Sequence, residues 1–203
     1  MRLFFFSIYI TFYSLNLCFS QSIKLEMSKK NKAPTNIILM IADGAGLSQI
    51  TAALYENDNK LNLENFKVVG FQKTHAINSL ITDSAASGTA MACGIKTVNG
   101  AIGVDPENKP YQSILKICEK KGYNSGMIVT SSIVHATPAS FYANVFSRAE
   151  YQEIAYQLSK SDVDFFIGGG EKHFIKRNDK KNLINEMKDW DFVNNLDEFD
   201  SST

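Results

Sequence analysis

The run Ile37-Ile38-Leu39-Met40-Ile41-Ala42 is unbroken in its apolar character and stops at Asp43-Gly44. A half-buried strand alternates apolar and polar residues, so a continuous run fits a strand covered on both faces, as in a parallel sheet between helices. Two later segments repeat the pattern: Gly126-Met127-Ile128-Val129-Thr130, and Val163-Asp164-Phe165-Phe166-Ile167 with the turn Gly168-Gly169-Gly170 behind it. Residues 66–74 read as extended. Between these segments lie helical patterns at 48–55, 86–93, 111–121 and 149–159, with another helix starting near Pro138. The helix at 111–121 sets Ile114, Leu115, Ile117 and Cys118 on one side and stops at Gly122, a glycine C-cap. Strands alternating with helices predict an α/β fold with a mostly parallel sheet.

The first residues stand apart from that alternation. Arg2 is followed by LFFFSIYITFYSLNL, then Cys18-Phe19-Ser20 and Gln21. A basic start, an apolar stretch and a small residue ahead of a polar one predict a secretory signal peptide over 1–20, and hence a periplasmic or secreted protein. The run is short for a spanning helix, which needs roughly 20 apolar residues, and Asn16 shortens it further. Membrane contact would require lipidation of Cys18, against which bulky Leu17 argues. Residues 21–35 are polar and basic and are expected to form a flexible lead-in. The tail from Lys181 is a charged amphipathic stretch and then a polar end without a clear terminal element. With 21 basic and 21 acidic side chains in 203 residues, the net charge of zero excludes a general nucleic-acid binder. Cys93 and Cys118 remain after cleavage and are expected as buried free thiols, since both lie in helical patterns and no CxxC or Cys/His cluster appears.

Ligands in open parallel sheets gather beyond the carboxyl ends of the strands, and several chemically capable residues fall there. Asp43 closes the first apolar run, either as a turn residue or as a hard oxygen ligand for Mg²⁺ or Zn²⁺. Ser84, in TDSAASGTAMACGIKT, starts a helix. Its hydroxyl is either a helix N-cap, amid small residues that let elements pack closely, or a group placed where free N–H donors welcome phosphate. His135-Ala136-Thr137-Pro138 follows the Ile128 strand. Arg148 ends the helical-looking segment FYANVFSR, and its guanidinium fork matches phosphate oxygens. In order, strand-end Asp, helix-start Ser, His/Thr and Arg make a kit for metal-assisted phosphoryl transfer.

The segments NIILMIADGAGLSQITAA, TDSAASGTAMACGIKTVNGAIGVD, HATPASFYANVFSR and VDFFIGGGEKHF resemble the alkaline phosphatase family in order and spacing. The resemblance implies a three-layer sandwich, a mostly parallel central sheet with helices on both faces, with 36–203 as the N-terminal part of such a domain. It implies that Ser84 is the nucleophile that becomes phosphoserine, that Asp43 bridges a zinc and a magnesium, and that Thr137 ligates the magnesium. Arg148 would clamp phosphate, held by Asp83. His135 stands where members carry Asp or His, in direct or water-mediated contact with a metal. Two zinc ions and one magnesium are implied, with small phosphomonoesters as substrates and a homodimer in the full-length form. No histidine neighbours Ser84 in sequence, so activation of its hydroxyl would fall to zinc.

The family pattern continues with a Glu for magnesium, an Asp-x-x-x-His pair and a distant His for one zinc, and an Asp-His for the other. None is present here: Phe71, Ser131 and Gly169 stand four residues before His75, His135 and His173, and no Asp-His dipeptide occurs. The resemblance covers roughly residues 35–175, about the first half of a full member, incomplete at the C-terminus. The 203-residue chain is therefore expected to be a weakly active or inactive fragment of poor solubility. A sulfatase- or phosphomutase-like hydrolase and a non-catalytic exported phosphate-binding fragment are the competing readings.

Overall fold

The computed structural model describes residues 33–195 and 197–199. The predicted signal peptide and all but the end of the lead-in lie outside the described residues. The chain divides into two units, Met1–Ile41 and Ala42–Thr203. The described part of the first holds no strand: the apolar run is unpaired, with Ile38 and Met40 86% and 85% exposed. The strand expected there does not form, because apolar character supplies a face to bury whereas a strand also needs a hydrogen-bonding neighbour. Residues 66–74 likewise lie outside any ladder, with Phe71 and Val68 fully or nearly exposed.

The second unit opens with α1 (Leu47–Glu56), where the Gln49 side chain accepts from the Gly46 N–H at 2.9 Å. A 3₁₀ turn follows at Asn62–Asn65. Then come α2 (Ser84–Cys93), α3 (Ile114–Glu119), β1 (Gly126–Ser132), α4 (Ala136–Ala139), α5 (Tyr151–Ser159), β2 (Phe165–Gly169), α6 (Lys172–Ile175) and α7 (Leu183–Glu186). The expected helix at 111–121 is shorter, because the Ser113 hydroxyl accepts from the Lys116 N–H and starts it three residues late. Its end is as expected. Gly122 adopts φ 84°, its N–H donates to Glu119 O and that of Tyr123 to Cys118 O, a Schellman closure.

Strands β1 and β2 pair in parallel, Gly126 opposite Phe165, Met127 opposite Phe166 and Ile128 opposite Ile167, with an irregularity before Ser132 meets Gly169. Gly168 and Gly169 thus extend the strand instead of turning it. A side chain at Gly168 would stand 2.7 Å from Val129 Cγ2, so the close pass of β1 requires glycine there. The fold is α/β with a parallel sheet between helical segments, partial in its sheet.

One core holds the unit together. Ile102, Ile133, Val134, Ile154, Leu158 and Leu183 are fully or almost fully buried. On α5, Ile154 and Leu158 share a face at a spacing of four residues, and burying each contributes about 1.5–3 kcal/mol. The Tyr142 hydroxyl donates to Ile133 O at 2.8 Å, tying the loop after α4 to the end of β1. Trp190 packs its ring 5.0 Å from that of Phe166, docking the amphipathic tail on the sheet. Cys93 and Cys118 are free, as expected, though half-buried. Burial pushes the Cys93 thiol up, only partly opposed by the Lys116 charge. Among the described residues no helix is long and apolar enough to cross a membrane.

Candidate active site

The start of α2 is built around Asp83. This residue, not Ser84, is the N-cap: its Oδ1 accepts from the Ala86 N–H at 2.9 Å, and its backbone is extended while Ser84 is already helical. The cap reading of the Ser84 hydroxyl is thereby corrected. With the cap supplied one residue earlier, the Ser84 hydroxyl is released and donates to Asp43 Oδ1 at 3.3 Å.

Asp83 does more than cap. Its Oδ2 accepts from the Gly100 N–H at 3.0 Å and from Arg148 Nη1 at 3.1 Å. Partial burial alone would push this carboxyl up. The hydrogen bonds from Ala86, Arg148 and Gly100, with the guanidinium charge, outweigh burial and hold it below the usual carboxylate range. Arg148 is fixed a second time, its own N–H donating to Gly100 O at 2.7 Å. It does not end a helix as expected. Residues 141–150 are irregular, and the antiparallel bridge of Ile102 with Val145 replaces helical bonds there.

Asp43 lies in a turn closed by the Ala45 N–H on Ala42 O, not at a strand end. Its two oxygens serve different partners: Oδ1 faces Ser84, and Oδ2 accepts from Thr137 Oγ1 at 2.8 Å. Thr137 reaches this position because α4 packs on α2 at a point without a side chain. A Cβ on Gly88 would stand 2.8 Å from Ser140 Oγ and 3.5 Å from Thr137 Cα. The small residues of TDSAASGTAMA therefore do serve close packing, with Ala85, Ala86, Gly88, Thr89 and Ala92 all buried.

His135 occupies the N-cap position of α4 without a side-chain bond to the helix, and turns its Nε2 toward Arg148 Nη2, 3.2 Å away. The structure thus gathers these residues into two sets of contacts, Asp43 with Ser84 and Thr137, and Arg148 with Asp83 and His135, which meet where Ser84 follows Asp83 in the chain. The oxygens of Asp43, Ser84 and Thr137 form a donor set suited to a hard cation such as Mg²⁺. For zinc the set is too small, since such sites take three or four protein ligands. Among the described residues no cluster of three or more His, Cys, Asp or Glu could hold a metal.

One residue of the site went unremarked in the sequence. The Asn99 side chain accepts from the Asp83 N–H at 3.0 Å and donates to Ile81 O at 2.9 Å. Its position in an Asn-Gly pair suggests only a turn; the sequence holds no signal that its carboxamide points back at residues 81 and 83.

The family model described as "Alkaline phosphatase" matches residues 34–202. The chain belongs to the alkaline phosphatase family. It is 34% identical over 214 residues to the "Repressible alkaline phosphatase" of Saccharomyces cerevisiae, covering 92% of this chain and 38% of that protein. Among solved structures, the alkaline phosphatase from the Antarctic bacterium TAB5 superposes with a TM-score of 0.70 at 44% identity, over 72% of this chain and 43% of that one. A variant of the TAB5 alkaline phosphatase with magnesium bound in its M3 site superposes equally well, at 45% identity over 72% of this chain and 42% of that one. The chain spans about two fifths of the length of these alkaline phosphatases.

Proposed function

We propose that these residues carry the phosphoryl-accepting part of a secreted or periplasmic phosphomonoesterase acting through phosphoserine at Ser84. The observation that carries this reading is the division of Asp43, one oxygen toward the Ser84 hydroxyl and the other toward Thr137. It holds the serine oxygen beside a second oxygen donor, at the open N-terminus of α2.

A phosphate monoester enters with its oxygens toward the Arg148 guanidinium and the first N–H groups of α2, which point outward at a helix start. Asp83 keeps the guanidinium in place and leaves part of its fork for substrate. Ser84 Oγ attacks phosphorus in line: the Ser84 O–P bond forms, the ester P–O bond breaks, the serine proton goes to solvent and the leaving alkoxide takes a proton from water. Water then attacks the phosphoserine from the opposite side, restoring the Ser84 hydroxyl and releasing inorganic phosphate. Arg148 and the helix N–H groups face the charge on the equatorial oxygens through both steps.

The metal cofactors of the family fit this arrangement in part. Asp43 and Thr137 would hold magnesium, with His135 at the edge of that same position, and Asp43 and Ser84 would hold zinc. When bound, such ions supply Lewis acidity to phosphoryl oxygens and lower the pKa of the attacking oxygen. Two zinc ions and one magnesium are proposed, the other zinc ligands lying outside residues 33–199. The polypeptide of residues 21–203 alone is accordingly expected to be inactive or nearly so, and a homodimer is expected of the full-length enzyme.

The experiment is phosphate transfer to Ser84. In the full-length metal-loaded enzyme, radiolabelled phosphate from an aryl phosphate is expected on Ser84, and Ser84→Ala is expected to abolish the label and lower kcat by at least about 10³-fold. Turnover of aryl sulfate in preference to aryl phosphate would favour a sulfatase-like hydrolase. Phosphate binding with no labelled serine would favour a non-catalytic binding role.

A further inference from the structure

We propose that Asn99 is a positioning residue for the Ser84 nucleophile, acting as a surrogate strand that holds the backbone of residues 81–83. The inference rests on the reading of Ser84 as the phosphorylated residue.

Residues 77–83 lead into α2 without belonging to a sheet. Ile77, Leu80 and Ile81 are exposed, so the path of this segment is fixed by contacts with a neighbouring one. The segment 97–99 supplies them. The Ile77 N–H donates to Thr97 O at 3.0 Å, and the Asn99 N–H donates to Asn78 Oδ1 at 2.9 Å. The Asn99 main chain thus meets only the Asn78 side chain, and its own side chain reaches the backbone of 81–83. Oδ1 accepts from the Asp83 N–H at 3.0 Å and Nδ2 donates to Ile81 O at 2.9 Å.

A primary carboxamide has the donor and acceptor of a peptide group, and here it engages residues i and i+2 of one backbone edge as a neighbouring strand would. Only asparagine combines this length with both functions. Aspartate keeps the acceptor but loses the donor, and alanine loses both.

The consequence falls on Ser84. Ser84 follows Asp83 directly and begins α2, so holding Ile81 O and the Asp83 N–H sets the path by which the chain enters the helix at Ser84, while Asp83 O is held by Ser87. The Asp83 carboxylate is secured independently, by Ala86, Gly100 and Arg148. Asn99 therefore governs the aim of the nucleophile, while Asp83 governs the phosphate clamp. Loss of the Asn99 carboxamide should slow attack on phosphorus without loosening the hold on phosphate, and a displacement near 1 Å can cost about 10²-fold in rate.

The test is Asn99→Ala in the full-length metal-loaded enzyme. Single-turnover release of nitrophenol from nitrophenyl phosphate is expected to slow about 10- to 100-fold. The calorimetric Kd for inorganic phosphate is expected to change by less than about threefold. A residue that served stability alone would lower the melting temperature and the folded fraction, yet leave the single-turnover rate per folded molecule within about twofold of the parent, which overturns the proposal. Equal losses in rate and phosphate affinity overturn it as well. If Asn99→Ala does not fold, Asn99→Asp, which keeps the acceptor for Asp83, is read by the same two measurements. Failure of the parent enzyme to label Ser84 at all would bring down the phosphatase reading and this inference together. Normal labelling in the parent with an unchanged rate in the variant brings down only the inference.

Discussion

At the scale of single residues, Asp83 joins three functions that a shorter list of contacts would separate: it caps α2, receives the Gly100 N–H and holds Arg148. All three favour its ionised form, and together they exceed the opposing effect of burial. The folded-state pKa therefore lies below the unfolded value of 3.8, so the carboxylate adds stability that is fully present above about pH 4 and is lost as the pH falls through the folded value. Asp83→Asn retains the shape while removing the charge. Its melting temperature should lie below that of the parent at neutral pH, and the two curves should converge as the pH drops below 3.8. Thermal melts across pH 2–7 measure this; a constant offset down to pH 2 would contradict the assignment. With Arg148 less firmly held, phosphate affinity should fall about tenfold, or about 1.4 kcal/mol. The pairing of Arg148 with Asp83 was legible because the motif around them is specific. Asn99 was not, since its contribution depends on a carboxamide reaching across 16 residues of sequence to Asp83.

At the scale of elements, the site exists because α2 and α4 approach closely enough for Ser84 and Thr137 to share Asp43. Gly88 is the point of approach, and Ser140 on the facing segment is the obstacle a side chain would meet. Gly88→Ala carries two opposed effects: alanine is favoured over glycine in a helix interior by about 0.5–1 kcal/mol, while overpacking costs typically about 1–3 kcal/mol. Overpacking should win here, because Ser140 is itself buried and fixed by its hydroxyl donating to Ala136 O at 2.8 Å. The expected loss of about 0.5–2 kcal/mol lowers the melting temperature by roughly 2–4 °C per kcal/mol at this chain size. Adding Ser140→Gly removes the obstacle, so the double variant should recover much of the loss relative to Ser140→Gly alone. A double-mutant cycle by denaturant unfolding decides, and additive effects of the two changes would count against the packing account. Sequence periodicity placed α2 and α5 well. It could not place the start of α3 or the irregular path to Arg148, where a Ser113 cap and the Ile102–Val145 bridge override local helical preference.

At the scale of the whole molecule, the alternation of strands and helices was legible in the sequence, but the extent of the sheet was not. The run 36–42 and residues 66–74 have the composition of strands, and composition alone says nothing about whether a neighbour is there to pair. The sheet among the described residues has two strands, so β1 and β2 each leave an unpaired edge. On one face Ile128 and Ile167 are 73% and 44% exposed, whereas Met127 and Phe166 on the other face the core and Trp190. Open edges and uncovered apolar faces invite pairing with other chains. The isolated polypeptide of residues 21–203 should therefore self-associate in a concentration-dependent way and bind a hydrophobic dye. Lysine at solvent-facing strand positions blocks edge association. Ile128→Lys, placed at a residue already 73% exposed, should reduce the association while leaving the core unchanged. Sedimentation velocity at increasing concentration, with the melting temperature as a control, measures both effects. A single monomeric species over a hundredfold range of concentration would show that these faces are covered by some arrangement within the chain itself.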